Sequence, residues 1–172
     1  MSDEIIIRHA KLSDVDSFRE LRLEALQNHP TAFGADYAES ILKPQTYWQE
    51  RLTINNEEQA LFFAEKGGQL IGMTGVFRSL SKKSLHSAGI WGVYVRPQWR
   101  GHNVSETLIK SCLKWAKDQE IAIVKLAVVT TNQPAIRCYE HCGFTTFGTE
   151  PKAIRYESIY YDEYLMSIDI EN

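Results

Sequence analysis

Residues 90–117 run Ile90-Trp91-Gly92-Val93-Tyr94-Val95-Arg96-Pro97-Gln98-Trp99-Arg100-Gly101-His102-Asn103-Val104-Ser105-Glu106-Thr107-Leu108-Ile109-Lys110-Ser111-Cys112-Leu113-Lys114-Trp115-Ala116-Lys117. The opening run to Val95 is apolar and β-prone with little polar alternation, which predicts a strand covered on both faces. Pro97 has no N–H for a ladder, so the strand ends near it. Gly101 and Asn103 stand where a tight connection needs positive φ. From Val104 the period becomes helical, with Val104, Leu108, Ile109, Cys112, Leu113 and Ala116 on one face. Glu106 in the first turn and Lys110, Lys114 and Lys117 further on complement the helix dipole. A strand, a turn rich in free N–H groups and a helix N-terminus together make an anion site.

Many α/β proteins join strand to helix through glycine, so this unit alone specifies an anion and not a ligand. No Gly-Lys-Ser/Thr follows the loop and no Gly-x-Gly-x-x-Gly is present, which removes the common nucleotide loops. The order Val93-x-Val95-x-Pro97 followed by Gln98-x-x-Gly101-x-Asn103 resembles the acetyl-CoA-binding loop of the GNAT family of N-acetyltransferases. That family usually has Gly or Ala where this chain has Asn103. Asparagine tolerates left-handed backbone, so the loop is expected to keep its shape.

Bulk properties exclude several alternatives. A chain of 172 residues suits one packed domain, taken as residues 1–172. Its 44% hydrophobic and 24% charged content is that of an ordinary globular protein. A net charge of −3 offers no basic stripe for nucleic acid or an anionic membrane. The acidic start Met1-Ser2-Asp3-Glu4 and the lack of any apolar stretch near ~18 residues predict neither signal peptide nor membrane span. Cys112, Cys138 and Cys142 form no Cys-x-x-Cys pair and fall in predicted helices, which reads as reduced thiols in a cytoplasmic protein. Cys138 and Cys142 share a helical face that His141 does not, and no second ligand cluster exists, so no metal is expected.

The rest of the chain alternates helices and strands. Residues 4–10 open with the β-branched Ile5-Ile6-Ile7, and Ser13 is placed as the cap of a helix striped by Val15, Phe18, Leu21, Ala25 and Leu26. Residues 31–43 lack a clean period, whereas 44–52 are helical. Strands at 59–65 and 69–78 flank Lys66-Gly67-Gly68, a hairpin signal. A polar turn at 79–84 precedes the strand 86–95, and the apolar run 121–129 suits a buried strand. A strand begins at residues 144–147, and two more are placed in 154–170 around a turn at 158–162. The result is an α/β fold, a mixed and mainly antiparallel sheet of about six or seven strands flanked by about four helices.

A second motif strengthens the resemblance. In Asn132-Gln133-Pro134-Ala135-Ile136-Arg137-Cys138-Tyr139-Glu140-His141-Cys142-Gly143-Phe144, Asn132 is a plausible N-cap, Pro134 sits in the first turn and Gly143 ends the helix. Asn-x-x-Ala-x-x-x-Tyr-x-x-x-Gly-Phe after a buried strand also resembles the second GNAT signature, at the family's usual distance from the first.

The resemblance implies transfer of an acetyl group from acetyl-CoA to an amine on a small molecule, peptide or protein. Pyrophosphate would meet N–H donors of Arg100, Gly101, His102, Asn103, Val104 and Ser105. The pantetheine arm would pair with Val93 and Val95, Asn132 would hold the cosubstrate from the other side, and Gly92 would ease the approach of backbone. An N–H of Val93 or Tyr94 would stabilise the oxyanion, and Tyr139 would protonate the departing thiolate. No carboxylate stands where many relatives carry their base. His86, Glu65 and Glu24 are the candidates, and Tyr37, Trp48, Trp91 and Tyr94 could line an acceptor pocket. A homodimer follows by family analogy. Two other readings stay open, transfer of a different acyl group and an acyl-CoA-binding regulatory module without catalysis. The parts expected to face the acceptor, residues 31–43 and 158–164, carry no recognisable code.

Overall fold

The computed structural model describes residues 4–53 and 57–171, which leaves the acidic Met1-Ser2-Asp3 outside. Seven strands form one sheet in the order β1-β2-β3-β4-β5-β7-β6. They are β1 (Ile6–His9), β2 (Gln59–Lys66), β3 (Gln69–Arg78), β4 (Ser87–Val95), β5 (Ile123–Val129), β6 (Thr145–Tyr156) and β7 (Ile159–Asp169). Every neighbouring pair is antiparallel except β4 with β5, which run parallel. The helices are α1 (Val15–Asn28), α2 (Tyr37–Ile41), α3 (Gln45–Thr53), α4 (Val104–Asp118) and α5 (Gln133–His141). This is the expected mixed α/β architecture. Among the described residues no helix is long and apolar enough to cross a membrane.

Each face of the sheet has its own core. On one face α4 and α5 bury Leu108, Ile109, Cys112, Ile136 and Tyr139 against Ile71, Val95, Val124, Leu126 and Met166. On the other, α1 and α3 bury Phe18, Leu21, Ala25, Trp48 and Leu52 against Phe63, Met73 and Tyr94. Strand β4 contributes to both, Ile90 and Val95 to the first and Tyr94 to the second. That two-sided burial is why its sequence lacks polar alternation. Each large side chain buried here contributes about 1.5–3 kcal/mol relative to exposure.

Four local expectations need correction. Ser13 is not the cap of α1. It lies in a 3-10 turn spanning Leu12–Asp14. The Asp14 carboxylate takes the Lys11 N–H at 2.7 Å and the guanidinium of Arg8 at 2.8 Å. Arg8 in turn reaches Glu65 at 2.6 Å, so charge clamps β1 and β2 to the start of α1. Strand β5 is not wholly buried, because Lys125 and Ala127 are exposed between buried neighbours. Strand β6 runs continuously from Thr145 to Tyr156, joining what its composition divides into two strands. Its turn to β7 falls at Glu157 and Ser158, both at positive φ, and not within 158–162. Register shifts against β7 break its alternation and hide its length.

Strand β4 carries a bulge that shapes everything below it. Trp91 pairs with Gly75 and Tyr94 with Met73, so one extra residue lies on β4 between these pairs. Gly92 takes it up with φ of +66°. A Cβ at Gly92 would make only ordinary contacts, so the position needs glycine for its dihedral and not for close approach. Gly75 is the reverse case, since a Cβ there would overlap the Trp91 indole. Gly92→Ala is expected to lose about 1–2 kcal/mol of stability in urea unfolding. An unchanged midpoint would show that the bulge does not depend on left-handed backbone.

Candidate active site

The parallel contact of β4 with β5 is short. Ser87, Ala88 and Gly89 pair with Ile123, Val124 and Lys125, and beyond them the strands part. The gap opens into a cavity of about 630 Å³. Ile90 to Val95 form one wall, Leu126 to Val128 and α5 the other, and the loop before α4 closes one end.

Alternation along β4 decides which backbone groups enter this gap. The Arg96 N–H donates to the Ile71 carbonyl of β3 at 2.9 Å. The Tyr94–Met73 pair is two residues further along the same ladder, so the Tyr94 N–H lies within the sheet. Val93 and Val95 therefore turn their N–H and C=O groups toward the open side. The Val95 carbonyl accepts from Arg100 Nε at 3.0 Å, which agrees with that direction. Of the two expected oxyanion donors, only the Val93 N–H faces the gap.

The loop has the left-handed residues its sequence requires, Gly101 at φ +77° and Asn103 at φ +58°. Asn103 is the residue before α4, and its carbonyl accepts the Thr107 N–H at 3.0 Å. The N–H groups of the first helical turn have no carbonyl of their own helix to bind, so they converge on the loop's concave side. Arg100, Gly101, Asn103, Val104 and Ser105 all line the cavity. The His102 side chain does not, and its Nδ1 donates to the Arg100 carbonyl at 3.0 Å. The Arg100 guanidinium is held by Val95 and by His29 Nε2 at 2.9 Å, so it braces the loop against β4. Burial and the charge of Arg100 push the His29 pKa down.

On the opposite wall Asn132 caps α5, its side chain accepting the Ala135 N–H at 3.4 Å. Tyr139 sits about two turns further on, 8% exposed and lining the cavity. Burial, then the neighbouring Cys138 and Cys142, raise its pKa, so the phenol keeps its proton through and beyond the neutral range. Cys138 also lines the cavity, and a hydrogen bond from Cys142 pulls its thiol pKa down. Buried Cys112 is pushed the other way, to about 12.

None of the three candidate bases lines the cavity. Glu24 accepts from the Tyr94 hydroxyl at 2.8 Å and from Arg96 at 3.0 Å, and burial with this bond pushes the Tyr94 pKa up to about 12. Glu65 is held by Arg8. His86 is exposed beside the paired end of β4, where its carbonyl takes the N–H groups of Ala122 and Ile123. Trp91 and Tyr94 line the cavity as expected, but Trp48 is core, edge-on to Phe18 at 5.6 Å. Tyr37 belongs to a separate groove along α1 and α2.

Residues at or beside the cavity that were not among those expectations include His29, Phe33 and Cys138, which line it, and Arg22, which packs on Trp91 next to it. Arg22 lies four residues after Phe18 and three before Ala25, so a cation interrupts the buried stripe of α1. That interruption was the available signal.

Comparison with known proteins agrees with this geometry. A model of the acetyltransferase (GNAT) family matches residues 17–144. The L-amino acid N-acetyltransferase AaaT of Escherichia coli is 28% identical over 171 residues, covering 95% of this chain and 97% of that protein. A GNAT-family acetyltransferase of Streptococcus pneumoniae superimposes with a TM-score of 0.86 at 22% identity, over 98% of this chain and 100% of that one. A Salmonella typhimurium protein assigned as an acetyltransferase, solved with its cofactor acetyl-CoA, gives a TM-score of 0.80 at 17% identity, over 98% and 95% of the two chains. The two structural likenesses show the fold.

The thiols supply a direct test of the cavity. Iodoacetamide near neutral pH is expected to label Cys138 before the other cysteines and to leave Cys112 unmodified until the protein unfolds, as mapped by peptide mass spectrometry. Early labelling of Cys112 would contradict its burial against Thr74.

Proposed function

The chain belongs to the acetyltransferase (GNAT) family, and we propose that it moves the acetyl group of acetyl-CoA to a primary amine on a small molecule or peptide by direct attack. The observation that carries this reading is the single gap between β4 and β5, with the Val93 N–H on one wall and Tyr139 on the other. Acetyl-CoA as donor is supported by its presence in the Salmonella typhimurium relative and by the fit of the residues here. The positive φ values of Gly101 and Asn103 and the start of α4 together make a cradle of N–H groups for pyrophosphate. Val93 and Val95 offer a strand edge to the peptide-like arm.

When bound, acetyl-CoA supplies the activated acetyl group and leaves as the thiol. The residues of the chain divide the remaining work. The Val93 N–H donates to the thioester oxygen as negative charge develops on it. The bond from amine nitrogen to acetyl carbon forms as the carbon–sulfur bond breaks. The amine's proton passes to water through the open cleft, and Tyr139 returns one to the sulfur. Arg22 and Arg51, whose charges repel one another across the acceptor side, disfavour an ammonium there and so favour the free amine.

Tyr139→Phe should lower kcat by roughly 10²–10³-fold while calorimetry finds acetyl-CoA affinity nearly unchanged. Equal turnover would remove the phenol from the mechanism. Because its pKa is raised, Tyr139 stays protonated above its ordinary value of ~10. The wild-type rate should accordingly climb with pH as the acceptor amine is freed and show no fall before about pH 10. A descending limb centred near pH 8 would assign the acid to another group.

A further inference from the structure

Arg22 stands beside the β4 bulge, where a Cβ on Gly92 would lie 3.5 Å from its Nη1. That Nη1 is buried and has no hydrogen-bond partner among the described residues. The guanidinium packs over Phe33 at 4.8 Å and Trp91 at 5.6 Å. Arg51 approaches the same indole at 5.6 Å and stacks on Tyr47 at 4.6 Å. Two other arginines packed on this sheet have carboxylates, Arg8 with Asp14 and Glu65, and Arg96 with Glu20 and Glu24, and Arg100 has the Val95 carbonyl and His29. Arg22 has aromatic faces and a second cation instead.

A buried cation is normally matched by an anion, because ring faces offset part of its desolvation but accept no N–H bond in the way an oxygen does. Burial, then the charge of Arg51, lowers the Arg22 pKa to about 10, so it remains a cation near neutral pH. The fold therefore holds an unmatched donor and two positive charges beside the residue that precedes Val93. An anion reaching Arg22 from an amine positioned for attack at Val93 must sit close to that amine in the same molecule.

We infer that Arg22, with Arg51 behind it, binds the carboxylate of the acceptor, and that amine and carboxylate are borne on one carbon, as in an α-amino acid. Phe33 and Trp91 then border the amino acid's side chain. The same two charges repel polyamines and aminoglycosides, which carry further cations where this acceptor carries an acid. The inference rests on the acetyl-transfer reading. Its chemistry is that of the preceding section, with the α-nitrogen bonded to the acetyl carbon and the sulfur released as thiol.

The test measures thiol release from acetyl-CoA with phenylalanine, phenylalaninamide and phenethylamine, and with leucine and leucinamide. Wild type, Arg22→Met and Arg51→Met are compared, and calorimetry follows binding of the free amino acids to each protein saturated with CoA. Wild type is expected to favour an acid over its amide by on the order of a hundredfold in kcat/KM, chiefly through KM. The ratio should fall at least tenfold in Arg22→Met and less in Arg51→Met. Being measured within one protein sample, it is insensitive to a partly unfolded fraction. Equal use of acid, amide and amine by wild type, or an unchanged ratio in Arg22→Met, overturns the assignment. If no acceptor releases thiol but the amino acids bind wild type and not Arg22→Met, the transfer reading fails and the carboxylate site stands. If they neither react nor bind, the site falls as well.

Discussion

The parting of β4 from β5 is the constraint on which the site depends. Two neighbouring strands of one sheet would ordinarily satisfy each other's backbone groups along their length. Here the parallel contact stops after Gly89 and Lys125, and the bulge at Gly92 turns β4 away from the line of its partner. The sheet stays intact because β5 is secured by β7 along its whole length, from Ile123 opposite Asp169 to Val129 opposite Glu163. Helix α4 packs on β2, β3 and β4 through Val104, Leu108 and Ile109 and meets α5, which lies on the other wall of the gap. A local loss of strand pairing is thus held open by cores on both faces.

The two faces then divide the chemistry. The side built with α4 and α5 presents backbone N–H groups, an N-terminal helical turn and a phenol, which suit a large anionic donor with a peptide-like arm. The side built with α1 and α3 presents side chains, namely Arg22, Phe33, Tyr47, Arg51 and Trp91, around the same bulge. Trp91 holds its place because Gly75 opposite has no Cβ. Tyr94, which lines the cavity, also donates its hydroxyl to Glu24 of α1 and so ties the two layers together.

Much of the fold was legible because the decisive signals are local. The positive φ of Gly101 and Asn103, the Asn132 cap, the Gly67-Gly68 hairpin and the helical stripe of α1 each depend on residues close in sequence. The long β6 was not legible, because its register shifts destroy the period on which strand reading relies. The shape of the loop before α4 was legible for the same local reason, since a strand–loop–helix unit carries its own backbone groups. The cluster around Arg22 was not, since it assembles side chains from α1, α3, the loop after α1 and β4 only once the sheet has formed. The choice between Val93 and Tyr94 as donor likewise needed the ladder to β3, and the search for a base needed the partners of Glu24 and Glu65.

Because the proposed donor cradle is written in dihedral angles and main-chain amides, most side-chain replacements around it are expected to leave its shape untouched. The proposed acceptor side is the opposite, a set of exchangeable side chains resting on a frame that does not need them for its own shape. A lineage built on this plan can change what it modifies by drift at a few positions on α1, α3 and β4 while the activated-group chemistry is inherited whole. Overall similarity between two such chains then reports shared donor use far more faithfully than shared acceptor, and divergence of diet precedes divergence of trade.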